Sequence, residues 1–312
     1  MAFGSEPLRV MASQQEIPHR FLVGVIDLMD GHAVHAVAGH RERYRAVQLL
    51  NQRSQPPDWL GRTTGNAIAV AQHYWQCGVR DFYVADLDRL RGGKGQWREL
   101  KQIATWLRDQ AKSAKAQPQA HGQLETPCKL MLDVGFRPQD ATGPCFQHLD
   151  NAVGLRRSIS PSLLDLQYVI ASESWLSIPG PEIPRVNELV ASLAGSHALD
   201  RPCIAGLDFR AGRFLGSVSY EAWLELNRRA GVTDAIVLDL AAVGTKGGPQ
   251  GIQLSEDVRS RMPTGQLYSG GGVRSTHDCL RFLRAGCDGC LVATALLDGR
   301  LGGHTASDSA TM

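Results

Sequence analysis

The chain has 312 residues, of which 33 are basic and 31 acidic, for a formal net charge of +2. This balance argues against an extended nucleic-acid-binding or membrane-binding surface. No run of apolar residues reaches the roughly 20 needed to span a bilayer, and the N-terminus lacks the apolar stretch of a secretion signal. Seven irregularly spaced cysteines fit a reducing compartment better than a disulfide framework. We therefore expect a cytoplasmic protein without a nucleic-acid or membrane partner; its oligomeric state cannot be read from the sequence.

Short apolar runs alternate with helical patterns, after an N-terminal segment (residues 1–20) that we expect to be flexible. The first run, Phe21–Asp27, predicts a strand, and Ala33–Val37 predicts a strand that returns from it. Helical periodicity then covers Asn66–Cys77. It ends at Gly78, a residue suited to the left-handed conformation that often follows a helix.

The rest of the chain repeats this alternation. Further strands are predicted at DFYVAD (81–86), KLMLDVG (129–135), YVIAS (168–172), CIAGLD (203–208), AIVLD (235–239), QLYSG (266–270) and GCLVA (289–293). Further helices are predicted at 96–115, from Pro138 onward, and at 183–194, 220–230, 254–261 and 276–285. Residues 301–312 are small and polar and predict a disordered tail.

Eight apolar strands, most of them followed by a helix, indicate a parallel sheet covered by helices. A closed (β/α)8 TIM barrel over residues 21–300, in one domain, fits this number of units better than an open doubly wound sheet. An open sheet would usually carry Gly-x-Gly-x-x-Gly after its first strand, and VIDLMDG stands there instead.

The two halves of the chain match in order, which predicts a barrel built from two homologous half-barrels. GVIDLMDG matches GLDFRAG and pairs Asp27 with Asp208, while DFYVADLDRLRGG matches DAIVLDLAAVGTKGG and pairs Asp86 with Asp239. KLMLDVGFRPQD matches QLYSGGGVRSTHD, and YVIASES matches CLVATAL. The last match places the fourth strand at 168–172 and makes residues 150–166 an insertion.

Asp27 and Asp208 end the first and fifth strands, which lie opposite each other in such a barrel. Active sites of TIM barrels lie at the carboxyl ends of the strands. Aspartates at strand ends also cap turns, but this placement favours a catalytic role for both residues.

Glycine-rich loops after other strands predict phosphate binding, because their backbone N–H groups can point at an anion. The stronger cradle follows the seventh and eighth strands and comprises Gly271, Gly272, Ala293 and Thr294. A weaker cradle follows the third and fourth strands and comprises Gly135, Phe136, Ala171 and Ser172. The expected ligand is a small molecule with a phosphate at each end and its reacting centre between the two carboxylates.

Six further residues are assigned to substrate contact or site shaping. Asp86 and Asp239 are interpreted as making loop hydrogen bonds, and Gly244 and Thr245 lie in the loop after the sixth strand. Two arginines, Arg137 and Arg274, either neutralise phosphate or begin their helices, and the sequence favours neither role.

The sequence predicts no metal ion and no cofactor. The one close cysteine pair, Cys287 and Cys290, lies on an apolar strand-like run, where residues three apart face opposite sides. Packing is the favoured role for both cysteines.

These motifs resemble the isomerase and cyclase barrels of histidine biosynthesis, the HisA/HisF family, over about residues 21–301. The resemblance is carried by VIDLMDG, FYVADLDRLRGG, GLDFRAGRF, VLDLAAVGTKGG, YSGGGVR and VATALLDG. It implies an Amadori-type rearrangement of an aldose to a ketose, on a phosphoribosyl-amine with two phosphates. Asp27 would be the general base that removes the C2 proton, and Asp208 the general acid that assists ring opening.

Several positions depart from the family pattern. Val243 stands where the isomerases usually have an acidic residue, and Leu238 stands where a threonine is common. DVGFR replaces the usual GGGIR after the third strand, and insertions occupy about 41–65, 113–126 and 150–166. These differences indicate a diverged member.

Three hypotheses remain open at this point. The first is an isomerase of histidine biosynthesis or of a paralogous pathway. The second is a diverged relative in another pathway, such as pterin or one-carbon cofactor synthesis. The third is a non-catalytic protein that binds a phosphorylated ligand.

Overall fold

The strands close into a barrel in the computed structural model, which describes residues 17–18, 20–49, 64–116, 127–136, 163–175 and 203–301. They are β1 (Leu22–Met29), β2 (His32–His35), β3 (Arg45–Ala46), β4 (Asp81–Asp86), β5 (Cys128–Asp133), β6 (Leu164–Ala171), β7 (Cys203–Arg210), β8 (Arg213–Phe214), β9 (Asp234–Asp239), β10 (Leu267–Gly270) and β11 (Gly289–Val292). Eight of these described strands pair in parallel in the order β1-β4-β5-β6-β7-β9-β10-β11. β11 then pairs with β1, with Leu22 opposite Cys290, and closes the sheet. The predicted (β/α)8 barrel is confirmed.

Helices lie between the barrel strands. They are α1 (Ala67–Gln76), α2 (Leu87–Leu90), α3 (Trp97–Ala116), α4 (Tyr220–Arg229), α5 (Ile252–Arg261), α6 (Thr276–Arg284) and α7 (Thr294–Leu297). Short 3-10 turns cover Arg41–Arg43 and Ser172–Trp175. Side chains of Asn66, Ser219 and Ser275 accept hydrogen bonds from the first turns of α1, α4 and α6, which satisfies N–H groups that lack a helical partner. None of the described helices is long and apolar enough to cross a membrane.

Two predicted boundaries are wrong. The fourth barrel strand, β6, begins at Leu164 and not at residue 168, because Leu164 and Leu166 pair with Cys128 and Leu130 of β5. Residues 164–166 therefore belong to the strand and not to an insertion. Leu301, assigned to the tail, is 3% exposed and packs in the core. Residues 1–16, the tail beyond 301, and the helices predicted from Pro138 and at 183–194 lie outside the described residues.

The core has two layers separated by the sheet. The interior of the barrel is filled by a cluster to which every barrel strand contributes; its members include Val23, Tyr83, Met131, Val169, Ile204, Ile236, Tyr268 and Leu291. The outer layer lies between strands and helices and includes Phe82, Val84 and Trp223. Cys287 and Cys290 are both buried in this outer layer, in agreement with a packing role. The expectation that they face opposite sides of one strand is wrong, because Cys287 precedes β11. Burying one large apolar side chain of this layer, such as Phe82, stabilises the folded state by roughly 1.5–3 kcal/mol.

Alternation along the strands decides which strand-end acids face the barrel interior. Side chains two or four residues apart in a strand point to the same side. Asp27 lies four residues after Val23, Asp133 two residues after Met131, and Asp208 four residues after Ile204. Each therefore shares the inward side of its strand. By the same alternation, Asp86 lies on the outward side together with Val84, two residues before it. Asp239 likewise lies on the outward side together with Val237.

The two half-barrels keep matching hairpins. β1 returns through β2, and β7 returns through β8, both in antiparallel pairing. The two central residues of each turn have positive φ: 51° and 76° at Asp30 and Gly31, and 52° and 76° at Ala211 and Gly212. Positive φ at both central positions defines a type I′ turn, whose twist suits a two-residue hairpin. The duplication seen in the sequence thus extends to backbone conformation.

The loop after β9 packs against the loop after β2 above the barrel mouth. The N–H of Ala38 donates to the carbonyl of Val243 at 2.7 Å. Gly244 has φ of +66°, and a Cβ at this residue would lie 1.8 Å from the carbonyl oxygen of Ala36. The contact therefore requires glycine for both conformation and space.

We predict that Gly244→Ala lowers the free energy of unfolding by about 1–3 kcal/mol more than Gly231→Ala does, the usual cost of forced overpacking. Gly231 is the matched control, because its φ is +82° and nothing lies within 4 Å of an added Cβ. Urea denaturation of the two variants measures the difference. Equal decreases in the free energy of unfolding would contradict the prediction, because they would show that the two loops can move apart without loss of stability.

Candidate active site

A cavity of about 560 Å³ opens at the carboxyl end of the barrel strands. Its walls come from strand ends and from the loops that follow them on both half-barrels. Of the residues predicted to form the site, the cavity is lined by Asp27, Asp208, Gly244, Thr245, Gly271, Gly272, Arg274, Ala293 and Thr294. The two predicted catalytic aspartates thus share one cavity, on strands that are four positions apart in the eight-stranded ring.

Asp133 is a third inward-facing carboxyl group in this cavity. It is 3% exposed. The hydroxyl of Tyr83 donates to its Oδ2 at 2.7 Å, and the N–H of Gly135 donates to its Oδ1 at 3.2 Å. Both oxygens are held in fixed positions.

Asp208 is fixed by the turn that follows β6. The hydroxyl of Ser172 donates to Oδ2 of Asp208 at 3.3 Å, and the N–H of Glu173 donates to the same oxygen at 3.1 Å. In return the N–H of Asp208 donates to the hydroxyl oxygen of Ser172 at 2.9 Å. These bonds occupy one oxygen of the carboxyl group.

Arg41 and Glu173 form an ion pair across the mouth, with 2.5 Å between Nη2 and Oε1. Arg41 belongs to the 3-10 turn after β2, and Glu173 to the turn after β6. Both side chains line the cavity. The pair therefore joins the loops above the first and fourth barrel strands.

Three aspartates of the cavity have raised pKa values: Asp133 and Asp208, which are buried, and Asp27, which is partly exposed. Burial raises the pKa of Asp27 to about 7, although the Arg41 guanidinium opposes the rise. Burial raises the pKa of Asp133 to about 7, against the hydrogen bond from Tyr83. Burial, together with the negative charges of Glu173 and Asp133, raises the pKa of Asp208 to about 8. Carboxyl groups that titrate near neutral pH can both donate and accept protons there.

Cations lie on the opposite wall. Lys246, Arg274 and Arg300 all line the cavity. Arg274 donates from Nε to Oδ2 of the buried Asp278 at 3.0 Å, and from Nη1 to the carbonyl of Lys246 at 3.3 Å. These bonds hold the guanidinium beside the loop that follows β10.

Gly271 and Gly272 form that loop, with φ of +89° and +74°. A Cβ at Gly272 would lie 2.4 Å from the carbonyl oxygen of Gly248, so the loops after β9 and β10 approach closely here. This wall combines glycine backbone with three cations, the chemistry that suits an anion.

The other predicted cradle has different contacts. Gly135 gives its N–H to Asp133. Phe136 is buried edge-to-face against Tyr168, with ring centroids 5.5 Å apart. Ala171 is 1% exposed, and Ser172 is bonded to Asp208. None of the four lines the cavity among the described residues. Arg137 lies outside the described residues.

Asp86 and Asp239 hold the hairpin turns, as the sequence interpretation suggested. Asp239 accepts hydrogen bonds from the N–H groups of Ala211 and Gly212 at 3.0 and 2.8 Å. Asp86 accepts from the N–H and side-chain amide of Gln96 at 2.7 and 2.9 Å. Gln96 in turn accepts from the N–H of Gly31 at 2.7 Å. Asp239 therefore bonds directly to the hairpin turn of its half-barrel, whereas Asp86 is connected to its turn through Gln96.

Sequence reasoning missed several residues that line the cavity. They are Arg41, Tyr83, Asp133, Glu173, Arg210, Lys246 and Arg300. For Asp133 a signal was present, because strand alternation in KLMLD places the acid on the same side as Met131. Leu238 and Val243, the two departures from the family pattern, also line the cavity.

The sequence is similar to known proteins of one family. The sequence model of the histidine biosynthesis protein family matches residues 194–302. A protein of Lacticaseibacillus casei named 1-(5-phosphoribosyl)-5-((5-phosphoribosylamino)methylideneamino)imidazole-4-carboxamide isomerase is 31% identical over 273 residues, which cover 83% of this chain and 94% of that protein. The protein of the same name from Xylella fastidiosa is 26% identical over 267 residues, covering 83% and 86%. An uncharacterised protein of Methanocaldococcus jannaschii is 24% identical over 280 residues, covering 90% and 94%.

With the barrel, the duplicated hairpins and this extent of similarity in place, the chain belongs to the histidine biosynthesis (HisA/HisF) family.

Proposed function

We propose that the protein is an isomerase that converts a phosphorylated aminoaldose to the corresponding ketose, with Asp27 and Asp208 as its acid–base pair. The observation that carries the proposal is the pair itself: two carboxyl groups on opposed strands of one cavity, Asp208 buried and Asp27 partly exposed, both with pKa values near neutrality. The names of the Lacticaseibacillus and Xylella relatives support this class of reaction. The low identity of all these relatives leaves the pathway open.

The surroundings of the two groups assign their roles. Arg41 favours the anion of Asp27, whereas Glu173 and Asp133 favour the protonated form of Asp208. At neutral pH Asp27 is therefore the better base and Asp208 the better acid. A general acid and base with pKa values close to the working pH each contribute about 10²–10⁴-fold to the rate.

The proposed reaction needs only proton transfers within the substrate. Asp208 donates a proton to the ring oxygen as the ring opens, and the nitrogen lone pair forms the C1–N double bond. Asp27 then removes the C2 proton, and the electrons of that bond form a double bond between C1 and C2. The electrons of the C1–N double bond return to the nitrogen, which gives an enolamine that carries the hydroxyl at C2. C1 gains a proton and the enol oxygen loses one, which leaves the ketose. No electron acceptor is consumed.

Glycine loops and cations position the phosphate in this proposal. Gly271 and Gly272 offer backbone at close range, while Lys246, Arg274 and Arg300 supply positive charge. Fixing the phosphate at one wall places the sugar carbons over the carboxyl groups. Such positioning converts remote binding energy into orientation of the reacting atoms.

We predict that Asp27→Asn and Asp208→Asn each lower turnover by about 10²-fold or more while ligand affinity is largely kept. The assay follows aldose-to-ketose conversion of phosphoribosyl-aminoaldoses bearing one or two phosphates. Asp109→Asn is the matched control, because it makes the same chemical change at a carboxyl group on the outer helix α3, paired there with Arg108. Turnover that survives in both site variants would contradict the acid–base assignment.

Absence of turnover in the unmodified protein, with phosphorylated ligands still bound, would favour the non-catalytic alternative.

We also predict a bell-shaped dependence of kcat/KM on pH, with limbs near pH 7 and pH 8. The rate rises as Asp27 loses its proton and falls as Asp208 loses its own. Asp133 raises the pKa of both groups through its negative charge, so Asp133→Asn shifts both limbs to lower pH. Steady-state kinetics across pH measure this. A profile that Asp133→Asn leaves in place would show that Asp133 is not coupled to the pair.

A further inference from the structure

Charged residues of the cavity are sorted into two arcs around the barrel. The acidic arc runs from β1 to β7 and comprises Asp27, Asp133, Glu173 and Asp208. The basic arc follows β9, β10 and β11 and comprises Lys246, Arg274 and Arg300. The charges facing a bound molecule therefore change sign from one side of the cavity to the other.

Few cations accompany the acidic arc among the described residues. Arg41 is already paired with Glu173 at 2.5 Å. Arg210 lies exposed at the rim, beside Gly39 and the loop that carries Leu240. Four carboxyl groups thus face two guanidinium groups on this side. On the basic arc, three cations accompany two acids: Arg274 pairs with Asp278 at 3.0 Å and Arg300 with Asp298 at 2.8 Å.

Within the part of the chain that the structure describes, three donors on the acidic side are already engaged. The N–H of Gly135 donates to Asp133, and the N–H of Glu173 donates to Asp208. The hydroxyl of Ser172 also donates to Asp208. In each case a carboxylate of the protein occupies the place of an anionic ligand.

The two halves have diverged at one matched position. Pairing Gly135 with Gly272 places Asp133 opposite Gly270 in the repeat. At Gly270 a Cβ would lie 2.4 Å from the carbonyl oxygen of Leu291, so the second half accepts no side chain there. The first half instead carries a carboxyl group aimed into the cavity. At this strand end the second half-barrel has a glycine, Gly270, and the first half-barrel has a carboxyl group, Asp133.

From these observations we infer that the substrate carries a single phosphate, bound at the basic arc, and that its other end bears an amine received by Asp133 and its neighbours. A second phosphate at that end would lie against four carboxyl groups. The N–H groups of Gly135 and Glu173 could not bind it without giving up their bonds to Asp133 and Asp208. An ammonium group, which the C1 amine becomes once the ketose has formed, is instead attracted by the carboxyl groups that the described residues place there.

This inference rests on the proposed function for the location of the substrate, and it narrows the substrate class. Asp133 becomes the residue that selects against bisphosphates. Its role concerns which end group is bound, whereas Asp27 and Asp208 perform the proton transfers.

Three ketose 5-phosphates that differ only at C1 test the inference by isothermal titration calorimetry at pH 7.5 or thereabouts. The C1 group is an amine in 1-amino-1-deoxyribulose 5-phosphate, a hydroxyl in ribulose 5-phosphate and a phosphate in ribulose 1,5-bisphosphate. We expect the amine to bind at least about tenfold more tightly than the bisphosphate, with the hydroxyl between them, because like charges in an interface are strongly unfavourable.

Variants separate the two ends of the ligand. Asp133→Asn removes one negative charge while keeping an acceptor for Tyr83, and should shrink the gap between amine and bisphosphate. Lys246→Gln should weaken all three ligands by a similar factor, because all share the phosphate at C5. Asp109→Asn should change nothing. Circular dichroism of each variant verifies that the fold is kept, and the order measured on the unmodified protein needs no variant at all.

Bisphosphate binding as tight as that of the amine, or no measurable binding of the amine, would overturn the inference. Neither result bears on turnover, so the isomerase proposal would stand or fall separately by the kinetic assay. Conversely, the three ligands could bind in the expected order while no aminoaldose is turned over. That result would support the single-phosphate inference and contradict the proposed isomerase activity.

Discussion

Closure of the sheet, through pairing of β11 with β1, is the constraint on which the site depends. A closed parallel barrel brings every strand's carboxyl end to one rim, and alternate side chains of each strand point inward. Asp27, Asp133 and Asp208 are distant in sequence but lie in one cavity because of this geometry. The same enclosure removes water from the carboxyl groups, and that loss of solvation is the main reason for their raised pKa values.

Duplication gives the barrel its two-fold symmetry. Divergence of the two halves makes the charges on the two sides of the cavity different. Both halves keep a type I′ hairpin after the first strand and an outward acid that holds it, directly at Asp239 and through Gln96 at Asp86. The cavity walls are no longer alike. Carboxyl groups face it from one arc, while glycine backbone and cations face it from the other. In the proposed function, a substrate bound across such a cavity has a defined orientation, so two aspartates in equivalent positions would perform different proton transfers.

Much of the fold could be predicted from the sequence, because apolar strands, helical periodicity and matched motifs are local signals. Asp27 and Asp208 were identified for the same reason, since both end a duplicated strand. The weak cradle at Gly135 could not be judged from sequence alone. Its positive φ serves close packing against Leu90, and a glycine required by packing looks the same in sequence as one required by a ligand. The Arg41–Glu173 pair was also beyond reach, because its partners are 132 positions apart on two loops without a motif. Strand alternation would have found Asp133.

The most direct test of this account is a carbon-13 NMR titration of aspartate carboxyl groups, with Asp27, Asp133 and Asp208 assigned from the signals lost in the corresponding asparagine variants. The account predicts that these three groups titrate at about pH 7 to 8 in the ligand-free protein, while exposed aspartates titrate near pH 4. If all three also titrate near pH 4, the barrel mouth does not desolvate its acids. The acid–base assignment and the separation of charge across the cavity would then both lose their physical basis.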